Sequence, residues 1–178
     1  YHFDAVRVGL AWTGSSGIEG YCPVARVLAR IIQVKKIKSG QPVGYGGRWV
    51  PSSSTKIGLV DIGYANGLPS DFSSLKVPLR IWTGTFWQEV PVVGAVSMDQ
   101  LAIDLGSLKK DILDPRPGTM IEVISQDVGA PNALHKIAKK ANKPPHEFLC
   151  AIGATSPRRY VRDHSTEVFE ENNVLYTR

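Results

Sequence analysis

Glycine and proline interrupt this chain so often that the pieces between them are mostly too short for helices. Seventeen glycines and twelve prolines punctuate 178 residues. Glycine supplies positive φ and proline fixes φ, so each cluster of them marks a turn. Between the turns lie apolar, largely β-branched runs at residues 6–12, 24–38, 43–50, 56–62, 77–82, 86–92 and 120–124. The runs at 24–38 and 43–50 flank Ser39-Gly40-Gln41-Pro42 and read as a strand pair. Those at 77–82 and 86–92 flank Thr83-Gly84-Thr85 and read as a hairpin. Residues 93–105 alternate apolar with polar, which predicts a strand with one wet face. One helix is predicted, with Asn132 as N-cap, an apolar stripe through Leu134, Ile137, Ala138 and Ala141, and a stop at Pro144-Pro145. Short late elements follow at 148–152 and 160–161. The expected fold is mainly β, a barrel or sandwich with one late helix.

Composition narrows the function classes without choosing one. The chain is 43% hydrophobic and 21% charged, the balance of a soluble domain with a real core. It holds no apolar run of membrane-spanning length. Its net charge of +5 is mild, and the densest basic cluster, Lys35-Lys36-Ile37-Lys38, reads as a solvated strand face. Cys22 and Cys150 form no CxxC pair and have no metal-ligand spacing, so they read as reduced thiols of a cytoplasmic protein. The start, Tyr1-His2-Phe3-Asp4, has neither an initiator Met nor signal-peptide regions and reads as a cut chain.

Three short motifs place a reactive or recognition side chain beside glycines. They are Val43-Gly44-Tyr45-Gly46-Gly47, Ile62-Gly63-Tyr64-Ala65-Asn66-Gly67 and Gly94-Ala95-Val96-Ser97-Met98-Asp99-Gln100. Glycines let a ligand approach the backbone closely, so a phenol among them can project into a cleft. Residue type alone leaves the alternative of glycine-rich turns with packed tyrosines, and of a strand methionine in the core.

In order and spacing, the motifs resemble the C-terminal domain of alanine racemase, a pyridoxal-phosphate enzyme that makes D-alanine for peptidoglycan. The resemblance covers roughly residues 4–162. It implies that Tyr45 is a catalytic base on one face of the substrate, opposite a cofactor lysine. An ordinary phenol, with pKa near ~10, needs a cationic neighbour or a hydrogen-bond chain for that work. It implies that Tyr64 lines the mouth of the active site and that Met98 and Asp99 bound the substrate carboxylate. Asp4-Ala5-Val6-Arg7-Val8-Gly9-Leu10-Ala11 resembles the last strand of the family's barrel. There Arg7 would bond the cofactor's pyridine nitrogen, and Gly9 and Leu10 would donate amides to its phosphate. His146 stands where the family has a tyrosine on the phosphate. Ala95, Asn66 and Leu68 are further departures near the family's mouth or cofactor. The implied organisation is a remnant of an N-terminal (β/α)8 barrel at 1–13 and the β domain at 14–178. The implied partners are the chain's own barrel, a second subunit and L- or D-alanine. No lysine here matches the family's cofactor lysine, so the isolated chain is expected to be inactive.

Two alternatives stand beside this reading. The departures suit a serine or broad-specificity racemase. From another class, Trp12, Trp49, Trp82 and Trp87 with dispersed Lys and Arg suit a basic β-barrel that stacks nucleic-acid bases.

Overall fold

The computed structural model describes residues 4–5, 8–18, 20–108 and 114–160. It holds a seven-stranded antiparallel sheet and two helices. The strands are β1 (Val27–Ile37), β2 (Thr55–Val60), β3 (Leu79–Trp82), β4 (Trp87–Val90), β5 (Val92–Val93), β6 (Leu101–Asp104) and β7 (Met120–Ile124). Their order across the sheet is β4-β3-β7-β1-β2-β6-β5. The two edge strands, β4 and β5, are separated in the chain by Pro91 alone. Two residue steps span at most ~7 Å, so the ends of the sheet must meet and the sheet curls into a barrel. Proline suits this corner, since it removes a ladder donor where pairing changes.

The long strand β1 makes the curl possible. Its first half pairs with β7 and its second half with β2, and the register shifts between Ile31 and Gln33. Such a bulge bends and twists a strand. The barrel interior is then filled by Ile31, Val60, Leu79, Ile81, Ile103 and Ile121, all fully buried, with Phe72 from the connection after β2.

Several sequence expectations are corrected here. The partner of β1 is β2, not residues 43–50. That segment contains Gly44, Gly46 and Gly47 at positive φ, and only Val43 and Trp49 bridge each other. The alternating stretch 93–105 is a strand only at its ends, because Gly94 turns at φ +70° and residues 97–100 close a tight turn. Within the run at 6–12, Leu10–Thr13 is a 3₁₀ turn instead of strand, since Thr13 Oγ1 and the amide of Ser15 both satisfy the Leu10 carbonyl locally.

The helical region also differs. Helix α1 (Leu134–Ala141) forms on the predicted apolar stripe, but Asn132 does not cap it. Its side chain is buried and donates to the Glu122 carbonyl at 2.9 Å, pinning the helix start to β7. Asn142 ends the helix in the left-handed region. Pro144-Pro145 then starts a second helix, α2 (Pro145–Thr155), which sequence analysis did not foresee. Proline is favoured at the first helical position because its missing N–H is spare there. Phe148 and Ile152 anchor α2 in the core. Among the described residues, no helix is long and apolar enough to cross a membrane.

One charged side chain lies inside this frame. Glu122 of β7 is 1% exposed. Its Oε1 accepts from Arg26 Nε at 2.8 Å and its Oε2 from Arg80 Nε at 2.6 Å. Arg80 also donates to Ser125 Oγ at 2.8 Å. Both guanidinium groups lie over the Trp87 ring, at 5.2 and 5.8 Å from its centroid, within cation–π range. Removing one partner of a buried pair strands the rest, so Glu122→Gln should lower the unfolding free energy by roughly 3 kcal/mol, read by urea denaturation.

His135, in the first turn of α1, is pressed against Gly17 of the N-terminal segment. Burial, and secondarily the charge of Lys136, lower its pKa. A base with a depressed folded pKa contributes stability above its unfolded value near ~6.5 and loses it as pH falls toward the folded one. The melting temperature should therefore drop on acidification below about pH 6.5, by less in His135→Gln than in the wild type.

Candidate active-site face

The three motifs of the sequence converge, and backbone contacts hold them together. The loop of residues 94–100 lies between the Tyr45 loop and the Tyr64 loop. On one side, a Cβ at Gly44 would sit 3.2 Å from the Ala95 nitrogen, and one at Gly94 would sit 2.9 Å from the Val43 carbonyl oxygen. On the other side, the Tyr64 amide donates to the Ser97 carbonyl at 3.0 Å and the Ala65 amide to the Met98 carbonyl at 2.9 Å. Gly63 makes that approach possible. A Cβ there would lie 2.2 Å from Met98 O and 2.4 Å from Ser97 O, distances no side chain tolerates.

Tyr45 stands at the tip of its loop, 76% exposed, and its hydroxyl has no hydrogen-bond partner among the described residues. Glycine-rich turning here therefore presents the phenol instead of packing it. Tyr64 opens a 3₁₀ turn, Tyr64–Asn66, and is 45% exposed. Asn66 closes this turn, accepting the Gly63 amide on Oδ1 at 3.0 Å. Asp owns the same oxygen, so the exchange keeps the turn and removes only a charge. Leu68, 3% exposed, packs in the core and shows only a small face to the cleft beside Tyr64.

Met98 and Asp99 occupy the tip of the 97–100 turn, and both are exposed. Their amides have no acceptor among the described residues. A cleft of about 260 Å³ runs beside Tyr64 and is walled by Leu68, Phe148 and Ala151, with the Lys143–Glu147 ion pair alongside. His146 is exposed on the first turn of α2, next to Glu147. The larger hollow, about 450 Å³, lies among Trp49, the 52–54 serines and Asp104, and contains none of the sequence-predicted site residues.

Near the chain start, the amides of Gly9 and Leu10 donate to nothing among the described residues, and open space surrounds the position of a Gly9 Cβ. Free backbone donors beside an uncrowded glycine fit an anionic group such as a phosphate. Arg7 lies outside the described residues.

Sequence reasoning missed the residues that do the joining. Ser97 and Gly63 enter the sequence reading only as neighbours of Met98 and Tyr64 in their motifs. The available signal was a polar residue bracketing Met98-Asp99 and a second glycine four residues before Gly67. The nucleic-acid reading is not favoured: Trp82 and Trp87 pack on each other at 5.1 Å between centroids, and Trp87 is covered by Arg26 and Arg80. Both arginines are committed to Glu122. Among the described residues, no group of three His, Cys, Asp or Glu side chains is placed to hold a metal.

Known proteins share this sequence pattern and fold. Residues 24–160 match the family described as alanine racemase, C-terminal domain. The alanine racemase of Thermodesulfovibrio yellowstonii is 32% identical over 161 residues, covering 90% of this chain and 42% of the relative. The biosynthetic alanine racemase of Escherichia coli is 34% identical over 169 residues, covering 90% and 43%. Among solved structures, alanine racemase from D-cycloserine-producing Streptomyces lavendulae superposes with a TM-score of 0.75 at 30% identity, covering 90% of this chain and 41% of that one. Alanine racemase from Bartonella henselae, with covalently bound pyridoxal phosphate, gives 0.73 at 29%, covering 86% and 40%. The chain thus spans well under half the length of these relatives. With residues 24–160 matching the family and relatives above 30% identical over most of its length, the chain belongs to the alanine racemase C-terminal domain family.

Proposed function

We propose that this chain is the C-terminal β domain of an alanine racemase that interconverts L- and D-alanine with pyridoxal phosphate. The observation that carries the reading is the convergence of the Tyr45, Tyr64 and Met98-Asp99 loops, the last two hydrogen-bonded to each other, with their side chains exposed. When bound, the cofactor supplies the electron sink that makes the Cα proton labile. The groups suited to hold it are the amides of Gly9 and Leu10 and the His146 ring for the phosphate, and Arg7 for the pyridine nitrogen. The Met98 amide binds the substrate carboxylate, with Asp99 bounding that subsite. Tyr64 lines the way in. Tyr45 takes or returns the proton on one face of Cα.

A phenol in this role needs cationic help, and Tyr45 has no hydrogen-bond partner within the described residues. That favours a composite site, in which Tyr45 of one subunit reaches the N-terminal barrel of a second. Residues 1–13 are read as the end of that barrel, with the β domain following, because residues 4–11 resemble its last strand. The relatives' shared designation favours alanine over serine or a broader amino-acid range.

In the complete chain, Tyr45→Phe should lower kcat for alanine racemisation at least about 100-fold, followed by circular dichroism of the substrate, because general acid–base groups contribute on that scale. Retention of wild-type kcat would remove Tyr45 from the chemistry. The 178-residue chain mixed with pyridoxal phosphate and borohydride should give no adduct at a single lysine on mass spectrometry. One uniquely labelled lysine would show that the domain carries its own cofactor site.

A further inference from the structure

We propose that Ser97 is a positioning residue: through one hydroxyl and one carbonyl it sets the direction of the substrate-binding amide at Met98 and the place of Tyr64 together. The proposal rests on the functional reading above and concerns a residue to which that reading assigns no contact with substrate or cofactor.

The first half of the device is a closed turn. The Ser97 amide and hydroxyl both donate to the Gln100 carbonyl, each at 2.8 Å. The Gln100 amide returns to Ser97 Oγ at 3.2 Å. A hydroxyl can donate once and still accept, and here it does both. The turn therefore closes on Ser97, with Met98 and Asp99 at its tip.

The second half is the planarity of the peptide. The Ser97 carbonyl accepts the Tyr64 amide, and the Met98 carbonyl accepts the Ala65 amide. No cis peptide occurs among the described residues. In a trans peptide the carbonyl and the following N–H point in opposite directions. Fixing the Ser97 carbonyl toward Tyr64 therefore aims the Met98 N–H away from it. Fixing the Met98 carbonyl does the same for the Asp99 N–H. Both amides have no acceptor among the described residues, so two aimed and unused donors stand side by side. A carboxylate is the fitting ligand, since charge-assisted bonds to backbone donors are short and strong. Loss of the hydroxyl lets the turn open and misaim the donors without touching Tyr45.

The test compares Ser97→Ala and Ser97→Thr in the complete chain. Ser97→Ala should raise KM for alanine about tenfold, the effect of losing roughly one hydrogen bond's worth of binding, with kcat changed far less. Ser97→Thr, which keeps the hydroxyl, should return KM to near the wild-type value. A merely structural role predicts the opposite split, with less active enzyme and lower apparent kcat at unchanged KM, and that result overturns the proposal. Hydrogen exchange on the 178-residue chain gives an answer that does not depend on activity. In Ser97→Ala the amides of Tyr64, Ala65 and Gln100 should exchange faster while that of Ile103 in β6 keeps its rate. Unchanged exchange at all three amides overturns the clamp. A wild-type complete chain that fails to racemise alanine overturns the functional reading instead, and the exchange result still decides whether the clamp exists.

Discussion

Two backbone hydrogen bonds, from the amides of Tyr64 and Ala65 to the carbonyls of Ser97 and Met98, are the joint on which the site depends. Each bond is worth only about 1 kcal/mol net, so they do not hold the domain together. What they hold is relative position. The missing side chain of Gly63 lets two loops approach to a distance that any Cβ would forbid. Gly94, and less tightly Gly44, permit a close approach on the other side of the 94–100 loop. The Tyr64 and Met98-Asp99 loops thus share one hydrogen-bonded backbone seat, and the Tyr45 loop packs against its other side. A side-chain bridge could not match this, because rotamers hop while peptide planes do not.

The barrel delivers the Tyr64 and 94–100 loops to one place. Its strands leave β2 and β5 at the same end, because β2 pairs with β6 and β6 with β5 in antiparallel sense. The Tyr64 loop follows β2 and the 94–100 loop follows β5, so adjacency of the strands becomes adjacency of the motifs. The opposite part of the sheet, β3-β7-β1, is where the charge cluster sits. Burying Glu122 costs desolvation, and only two guanidinium partners with short hydrogen bonds offset it. Arg80 lies directly across from Glu122 on β3, and Arg26 stands just before β1. A slip of one residue in either pairing would separate the charges, so the cluster selects the register.

Some of this was legible in the sequence because it follows from local rules. β2, the β3–β4 hairpin, β7 and α1 appear where apolar periodicity and turn residues place them. The errors share one cause: tertiary contact overrides a local signal. Asn132 is a good N-cap by residue type, yet it serves the Glu122 carbonyl. Pro144-Pro145 is a stop for one helix and the start of the next, and only burial of Phe148 and Ile152 decides between those roles. The alternation in 93–105 imitates a strand, but Ser97 contributes a hydroxyl that closes a turn. For the site, the tyrosines and Met98-Asp99 were found through a family resemblance. Ser97 and Gly63 were not, because a residue that positions others carries no reactive group to notice.

The exposure of the site residues completes the physical picture. Tyr45 is 76% exposed and Met98 54% exposed, although a phenol and a thioether gain from burial. On a rigid seat, such exposure is not slack that the domain failed to pack. The glycines around Tyr45 would allow collapse onto the barrel, and the 3₁₀ turn at Tyr45–Gly47 directs the side chain outward instead. Water around the phenol also screens any charge that would tune it, which makes this surface by itself a poor place for proton transfer. On the composite site proposed above, a second surface would exclude that water and bring a cation, and the two backbone bonds would hold the Tyr64 and Met98-Asp99 loops in register for it.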